Sequence, residues 1–415
     1  MRVILATVGT RGDVQPMLAL AQALTRRGHE AIVACPESFG AWVGSHGIEH
    51  RALGEDLSAL MSEKGASFER SLAGMKKYFT EQLLAQAPRL LEISRGADAI
   101  VGTAMAWSAP SVGEKLGIAA LELLPTSLAP SRMHPPPLMP FYGLPRWVNG
   151  LLWWLSDAIQ NRLMGGPLSQ ARASIGLAPV ASFTRHLFVD TPAVIAADDV
   201  LLPPDPAWGD RYPYAGYLFL DDPTPLDPSL DAWLAAGEPP VYVGFGSMAG
   251  GHPERVATML HDAMRATGRR CLVSAGSAGL FGEPPPPDGF FVVREAPHHL
   301  LFPRVAVAVH HGGSGTTAAA LRAGAPQVVL PMMLDQFHHA HHLARAGLAP
   351  AAPSMAKVTA KPLARAIEQA LALPAEPRRA MAERLQRSDA GAAITARLER
   401  MVGARAGAAA IARTA

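Results

Sequence analysis

Three short segments of this chain combine glycine with hydroxyl, imidazole or carboxylate groups: Gly9-Thr10-Arg11-Gly12-Asp13, Gly244-Phe245-Gly246-Ser247-Met248 and His310-His311-Gly312-Gly313-Ser314-Gly315-Thr316-Thr317. Each follows an apolar run of strand length and opens a segment of helical periodicity. The chemistry this suits is anion binding. A helix N-terminus presents free N–H groups and the positive end of a dipole, and glycine lets an anion come close to the backbone. The third segment is the strongest, with three glycines, three hydroxyls and two histidines in eight residues, and it reads as a diphosphate site.

Two carboxylates stand out. Asp13 ends the first loop just before a helix, where it can cap that helix or act as a general base at the mouth of its domain. Asp335, beside Gln336, follows the strand-like run Val328–Pro331. A carboxylate next to an amide at the carboxyl end of a parallel strand suits sugar hydroxyls. Histidines concentrate nearby: eight of the 15 lie between His298 and His342. His338 and His342 have the i,i+4 spacing of a helical metal pair, but no Cys or Glu at a useful spacing completes a site. These histidines are therefore expected to solvate a helix face near the diphosphate loop, and no metal is expected.

Several nucleotide chemistries are excluded. There is no G-x-x-x-x-G-K-[ST] segment. Gly244-x-Gly246-x-x-Ala249 mimics a dinucleotide fingerprint, but the next strand, Cys271–Ser274, ends without the acidic residue that would hold a ribose. Ala275-Gly276-Ser277-Ala278-Gly279 misses the spacing of a nucleophile elbow. Only six of the 37 basic residues are Lys (64, 76, 77, 115, 357 and 361), and none sits where a Schiff base with pyridoxal phosphate would need it. A formal charge of +2 is no footprint for nucleic acid. Two cysteines, Cys35 and Cys271, make no disulfide framework and fit a reducing compartment.

The elements that must position these groups alternate between strand and helix. The first half reads as strands at Val3–Val8, Glu30–Ala34, Ala99–Gly102, Ala119–Leu124 and Val194–Ala197, with helices at Val14–Arg27 and Ser111–Leu116. After a Pro-rich stretch (Pro203 to Pro228) the alternation restarts. Strands are expected at Val241–Phe245, Cys271–Ser274, Phe291–Val293, Val305–Val309 and Val328–Pro331, with helices at Glu254–Thr267 and from Thr316. This is an α/β chain with two Rossmann-like parallel sheets. The expected division is 1–205, a linker at 206–230, a second domain at 231–390 and a helical tail at 391–415. The segment 130–166, with Trp147, Trp153 and Trp154, is either a loop with a packed helix or an apolar wall for a hydrophobic ligand.

Together these residues resemble the GT-B fold, family 1 glycosyltransferases, in the branch of bacterial natural-product and sterol 3-β-glucosyltransferases. The resemblance spans nearly the whole chain. It is carried by Thr7 to Pro16, by Gly28-His29, by Gly216 to Asp221, by Pro239 to Met248, and by the stretch from Pro297-His298 through His310–Thr316 to Asp335-Gln336. The resemblance implies two domains facing a cleft, with a C-terminal helix returning to the N-terminal domain. It implies inverting transfer of a hexose from a UDP- or dTDP-sugar to a hydroxyl of a hydrophobic acceptor, with no cofactor. On it, Asp13 is the base. Thr10, Ser247, His310, Gly313, Ser314, Gly315 and Thr316 bind the diphosphate. Glu295, Ala296, Pro297 and His298 bind the nucleobase, and Asp335 and Gln336 the donor sugar. Met105, Trp107, Trp147 and Trp153 are expected to line the acceptor site.

Two other classes remain open at this point: a nucleotide-sugar epimerase on the same scaffold, and a non-catalytic glycosyltransferase-like helper. No apolar run is long enough to span a membrane. A cytoplasmic monomer or dimer is expected, with at most peripheral membrane contact and no nucleic-acid partner.

Overall fold

A computed structural model describes residues 1–55, 72–126, 129–137, 139, 141–246, 253–275 and 287–414. The first sheet contains β1 (Arg2–Val8), β2 (Glu30–Cys35), β3 (Glu49–Ala52), β4 (Ala99–Ala104), β5 (Ala119–Leu124) and β6 (Ala193–Ile195). The strands run parallel in the order β3-β2-β1-β4-β5-β6. The second sheet contains β7 (Val241–Gly244), β8 (Cys271–Ser274), β9 (Phe290–Val293), β10 (Val307–His310) and β11 (Gln327–Val329). It is also parallel, in the order β11-β10-β7-β8-β9. The expected doubly wound architecture is therefore present twice.

Apolar runs at β1, β2, β4 and β5 are buried because helices cover both faces of the sheet. β3 is the strand the sequence does not announce. Its residues, Glu-His-Arg-Ala, lack an apolar run because it lies at the sheet edge, half exposed. The helix α1 (Arg11–Arg26) begins three residues earlier than its apolar periodicity, because the loop residues themselves form its first turn. The helix at Leu72–Ile93 is also absent from the sequence reading. Segment 130–166 resolves into a tight turn at 131–134 followed by α2 (Arg146–Gln160).

The nine-residue helix α3 (Ser314–Arg322) follows β10, and α4 (Gln336–Arg345) follows β11. The last helix, α5 (Ala390–Thr414), crosses back to the first domain. Its Ile394 and Leu398 are fully buried in the same core as Leu18 and Leu24 of α1. Glu399 accepts from Arg27 and pairs with His29 at 2.9 Å, which fastens this return. Residues Ala215, Leu218 and Leu220 pack on that core as well.

A further apolar cluster joins the two sheets. It contains Leu124, Ile195, Leu201 and Leu202 from the first domain with Leu321, Val329, Leu343 and Leu385 from the second. Arg384 donates to Asp198 at 2.7 Å and also engages Asp199 across the same junction. This packing brings the carboxyl edges of the two sheets together. Cys35 and Cys271 are buried and unpaired with one another. Among the described residues, no helix is long and apolar enough to cross a membrane.

Candidate active site

In an open parallel sheet, ligands bind beyond the carboxyl ends of the strands where the winding reverses. The strand orders put these points between β1 and β4 in the first sheet and between β7 and β10 in the second. The first and third Gly-rich loops leave β1 and β10, so both lie at reversal points.

Asp13 occupies the first. One of its oxygens, Oδ2, accepts from the Thr10 backbone N–H at 2.8 Å and from the Thr10 hydroxyl at 3.1 Å. Asp13 thus caps α1 through one oxygen, and no described residue hydrogen-bonds the other. Gly9 is required by this arrangement, since a Cβ there would lie 2.2 Å from Asp13 Oδ2. Burial pushes the Asp13 carboxyl above its ordinary pKa; the Thr10 bonds oppose the shift, and the Asp335 carboxylate of the other domain adds to it. Thr10, expected at the diphosphate, spends its polar groups on Asp13.

At the second point, the sequence expectation for His310 needs correction. Its side chain is wholly buried, with a pKa lowered to about 3, chiefly by burial. Nδ1 accepts from the Gly312 N–H at 3.1 Å, so the proton sits on Nε2 and is donated to Gln327 Oε1 at 3.0 Å. With both ring nitrogens engaged, His310 shapes the loop and does not face the cleft. His339 of α4 supports the same turn through Nδ1, 2.7 Å from the Gly312 carbonyl.

The residue that sequence reasoning missed is His311. Its ring lies between two of the Gly-rich loops: a Cβ on Gly313 would meet His311 Nε2 at 2.6 Å, and one on Gly246 would meet its Cε1 at 3.5 Å. It is partly buried, with no hydrogen-bond partner for Nδ1. Its pKa is lowered, first by burial, with the Gly244 carbonyl opposing. The signal was the strand boundary: His310 ends β10, so His311 is the first side chain free of the sheet.

Gly313 precedes α3 and Thr317 N–H is the first to bond back to it, at 2.9 Å. The N–H groups of Ser314, Gly315 and Thr316 therefore point out of the helix end, as an anion site requires. Ser314 Oγ donates to the Pro125 carbonyl of the first domain at 3.1 Å, so its hydroxyl is engaged between domains here. Ser247 lies outside the described residues.

Asp335 occupies the N-cap position of α4, makes no side-chain capping bond and is partly exposed. Leu334, just before it, has φ +50°, the one non-glycine in the left-handed region among the described residues. That costly turn leads into Asp335, whose charge is felt by Asp13 of the first domain and by His311. Gln336 differs from expectation: it is buried, and its Oε1 accepts from Met332 and Met333 N–H at 2.8 and 3.1 Å. It holds the turn that carries Asp335.

At the expected nucleobase turn, Glu295 is engaged by Arg11 of the first domain at 2.5 Å. His298 is stacked on Phe302 with centroids 4.4 Å apart, and its Nε2 lies 3.1 Å from the Tyr242 hydroxyl. Pro297 precedes the short turn of helix at His298–Leu301, and Ala296 packs partly buried on the core beneath.

The four expected acceptor residues separate. Met105 sits at the first reversal point, its N–H 3.4 Å from the Val8 carbonyl. Trp107 packs edge-on between Phe79 and Phe183 at 5.4 and 5.5 Å. Trp153 is instead a core residue, 7% exposed, donating Nε1–H to the His134 carbonyl at 2.8 Å. Trp147 is 72% exposed on the outer face of α2. The histidine expectation also fails: His338, His339 and His342 are buried and do not solvate a helix face.

The Glycosyltransferase family 28 N-terminal domain matches residues 3–123, and the Erythromycin biosynthesis protein CIII-like C-terminal domain matches residues 284–398. The chain is 38% identical over 356 residues to Glycosyltransferase GtfE of Amycolatopsis orientalis, covering 84% of this chain and 85% of that protein. It belongs to the GT-B glycosyltransferases, in their natural-product and sterol branch. Vancomycin aglycone glucosyltransferase of the same organism is 36% identical, over 84% of this chain and 85% of that protein. A sterol 3-beta-glucosyltransferase of Arabidopsis thaliana is 29% identical, over 88% of this chain and 62% of its own. The solved glycosyltransferase of kitacinnamycin shares the fold of this glycosyltransferase, with a TM-score of 0.71 at 19% identity, covering 96% of this chain and 98% of that one.

Proposed function

We propose that this glycosyltransferase moves a hexose from a UDP- or dTDP-sugar to a hydroxyl of a hydrophobic natural-product or sterol-like acceptor, with inversion at the anomeric carbon. The observation that carries this reading is the opposition of two reversal points. Asp13, with one oxygen uncommitted, lies at one; the free N–H groups of α3 and His311 lie at the other.

In this reading the acceptor lies on the first domain against Met105 and Trp107. Its hydroxyl attacks the anomeric carbon from the face opposite the diphosphate, and Asp13 takes the proton as the bond forms. An alcohol is too weak an acid to lose its proton first, so a positioned carboxylate must act during attack. Asp335 holds the sugar hydroxyls, kept in place by Gln336. The charge growing on the leaving diphosphate is met by the N–H groups of Ser314, Gly315 and Thr316, the Thr316 hydroxyl and His311. Such fixed dipoles need no reorganisation and are worth most in a closed, dry cleft. The chemistry itself then asks for no cofactor.

The test is a panel of UDP- and dTDP-sugars offered with sterol, polyketide, glycopeptide-aglycone and phenolic acceptors, with products read by mass and anomeric proton coupling. A β-linked product from an α-linked donor is expected. Turnover of nucleotide sugar without any acceptor, or retention at the anomeric centre, would contradict the reading.

A further inference from the structure

Three histidines that the reaction does not use meet at the junction of the domains. His338 and His342 stand one helical turn apart on α4, and His134 comes from the 131–134 turn of the first domain. All three are buried, at 2%, 6% and 7% exposure. One ring nitrogen from each lies within 4.8 Å of the others. The ring centroids are 4.3 Å apart for His338 and His342, and 5.6 and 5.3 Å from His134.

We propose that His134, His338 and His342 form a binding site for one divalent transition-metal ion, zinc by geometry, that ties the 131–134 turn of the first domain to α4 of the second.

Hydrogen bonding supplies the first argument. Neither ring nitrogen of His338 has a partner, and Nε2 of His342 has none. A buried polar atom without a partner costs on the order of 1–3 kcal/mol, so a pair of histidines left in this state calls for a ligand. Orientation favours the same ligand. His134 Nε2 lies 2.7 Å from the Pro203 carbonyl, which fixes the proton there and leaves Nδ1 as a lone pair. Metal-bound histidines characteristically donate their other N–H to such an oxygen.

The turn that carries His134 is also rigid. Asp205 Oδ2 accepts from Ser131 Oγ and Arg132 N–H, both at 2.8 Å, and Ser131 Oγ accepts from His134 N–H at 3.1 Å. Asn149 and Trp153 bond the carbonyls of the same turn. Burial disfavours the charged form of each of the three histidines. Arg345 disfavours positive charge at His134 and His342, while Asp205 favours it at His134.

Zn–N bonds of roughly 2.0–2.1 Å place tetrahedral ligands about 3.4 Å apart, so each nitrogen moves inward by less than about 1 Å on binding. Three imidazoles suit zinc and leave a fourth position for water. Because Asp335 immediately precedes α4, the ion would hold the expected sugar-binding carboxylate against the first domain.

The experiment uses the full chain without an affinity tag, stripped with chelator, dialysed and titrated with zinc in competition with a chromophoric chelator. One equivalent is expected to bind. His134→Gln and His338→Gln should each weaken binding by more than the roughly 10–100-fold that follows loss of an outer-shell partner. His261→Gln, on a half-buried histidine elsewhere, should leave it unchanged. Cobalt added to the wild-type protein should give the intense visible bands of a four-coordinate site, a readout that does not depend on any variant folding. No bound equivalent, weak six-coordinate bands, or equal affinity in wild type and both cluster variants would overturn the proposal.

Discussion

The Arg11 guanidinium reaches across the cleft to Glu295 at 2.5 Å, joining the loop that carries Asp13 to the turn expected to hold the nucleobase. Both side chains are about half exposed, and Arg11 also lies 4.2 Å over the Trp42 ring. An ion pair so exposed contributes about 0–1 kcal/mol. The donor can therefore displace it at little cost. Arg11→Gln is expected to change nucleotide affinity by less than about 5-fold, measured by calorimetry. A larger change would make the pair a determinant of donor binding.

His311 is held in the cleft by the absence of a side chain on Gly313. A Cβ there would sit 2.6 Å from His311 Nε2. Gly313→Ala should swing the imidazole out and lower nucleotide-diphosphate affinity roughly 10- to 100-fold, as misplacing a positioned group does. His310→Gln provides the contrast. That ring is buried against Gln327 and Gly312, so its loss should appear first as a lower melting temperature.

The turn before Asp335 carries backbone strain at Leu334, φ +50°. An L-residue there costs roughly 1–2 kcal/mol, and a β-branched one more. Leu334→Gly is expected to leave stability within about 1 kcal/mol of wild type, because glycine takes this conformation freely while loosening the unfolded chain. Leu334→Val should destabilise by about 1–2 kcal/mol and raise the KM for donor. Equal melting temperatures for the two variants would remove strain from the account.

What the sequence revealed and what it concealed divide along physical lines. Largely apolar runs such as Ala119–Leu124 and Cys271–Ser274 match their strands residue for residue, because a strand buried on both faces is mostly apolar, with Glu122 the buried exception in β5. β3 escapes because an edge strand carries no such constraint. Asp13 and the α3 loop are legible because glycine and helix-start chemistry are local. The core role of His310 and the partly buried, loop-side one of His311 differ only by which side chain the end of β10 releases. The histidine triad is invisible because His134 lies about 200 residues from its partners and meets them only through the domain junction. Trp153 departs from the sequence expectation for a like reason: its indole N–H finds the His134 carbonyl, a contact no local pattern predicts.

Glu122 in β5 makes stability depend on pH. Its carboxyl is buried, Oε1 has no partner, and burial pushes its pKa up to about 8 from an ordinary 4.5. Between those values the folded protein keeps a proton that the unfolded chain has lost. Stability therefore falls as pH rises from about 4.5 to about 8. Glu122→Gln removes this term and should raise stability at pH 8 by on the order of 2–4 kcal/mol, with little gain at pH 5. Melting temperature against pH for both proteins checks it; parallel curves would contradict it.

The central claim is that Asp13 is the base, using the oxygen that Thr10 leaves uncommitted. Asn at this position keeps an acceptor for the Thr10 N–H and loses only the basicity. The decisive measurement is single-turnover transfer by Asp13→Asn at saturating donor and acceptor, beside nucleotide affinity measured on the same protein. The account predicts a rate at least about 100-fold below wild type with unchanged nucleotide affinity. Transfer at the wild-type rate would contradict it.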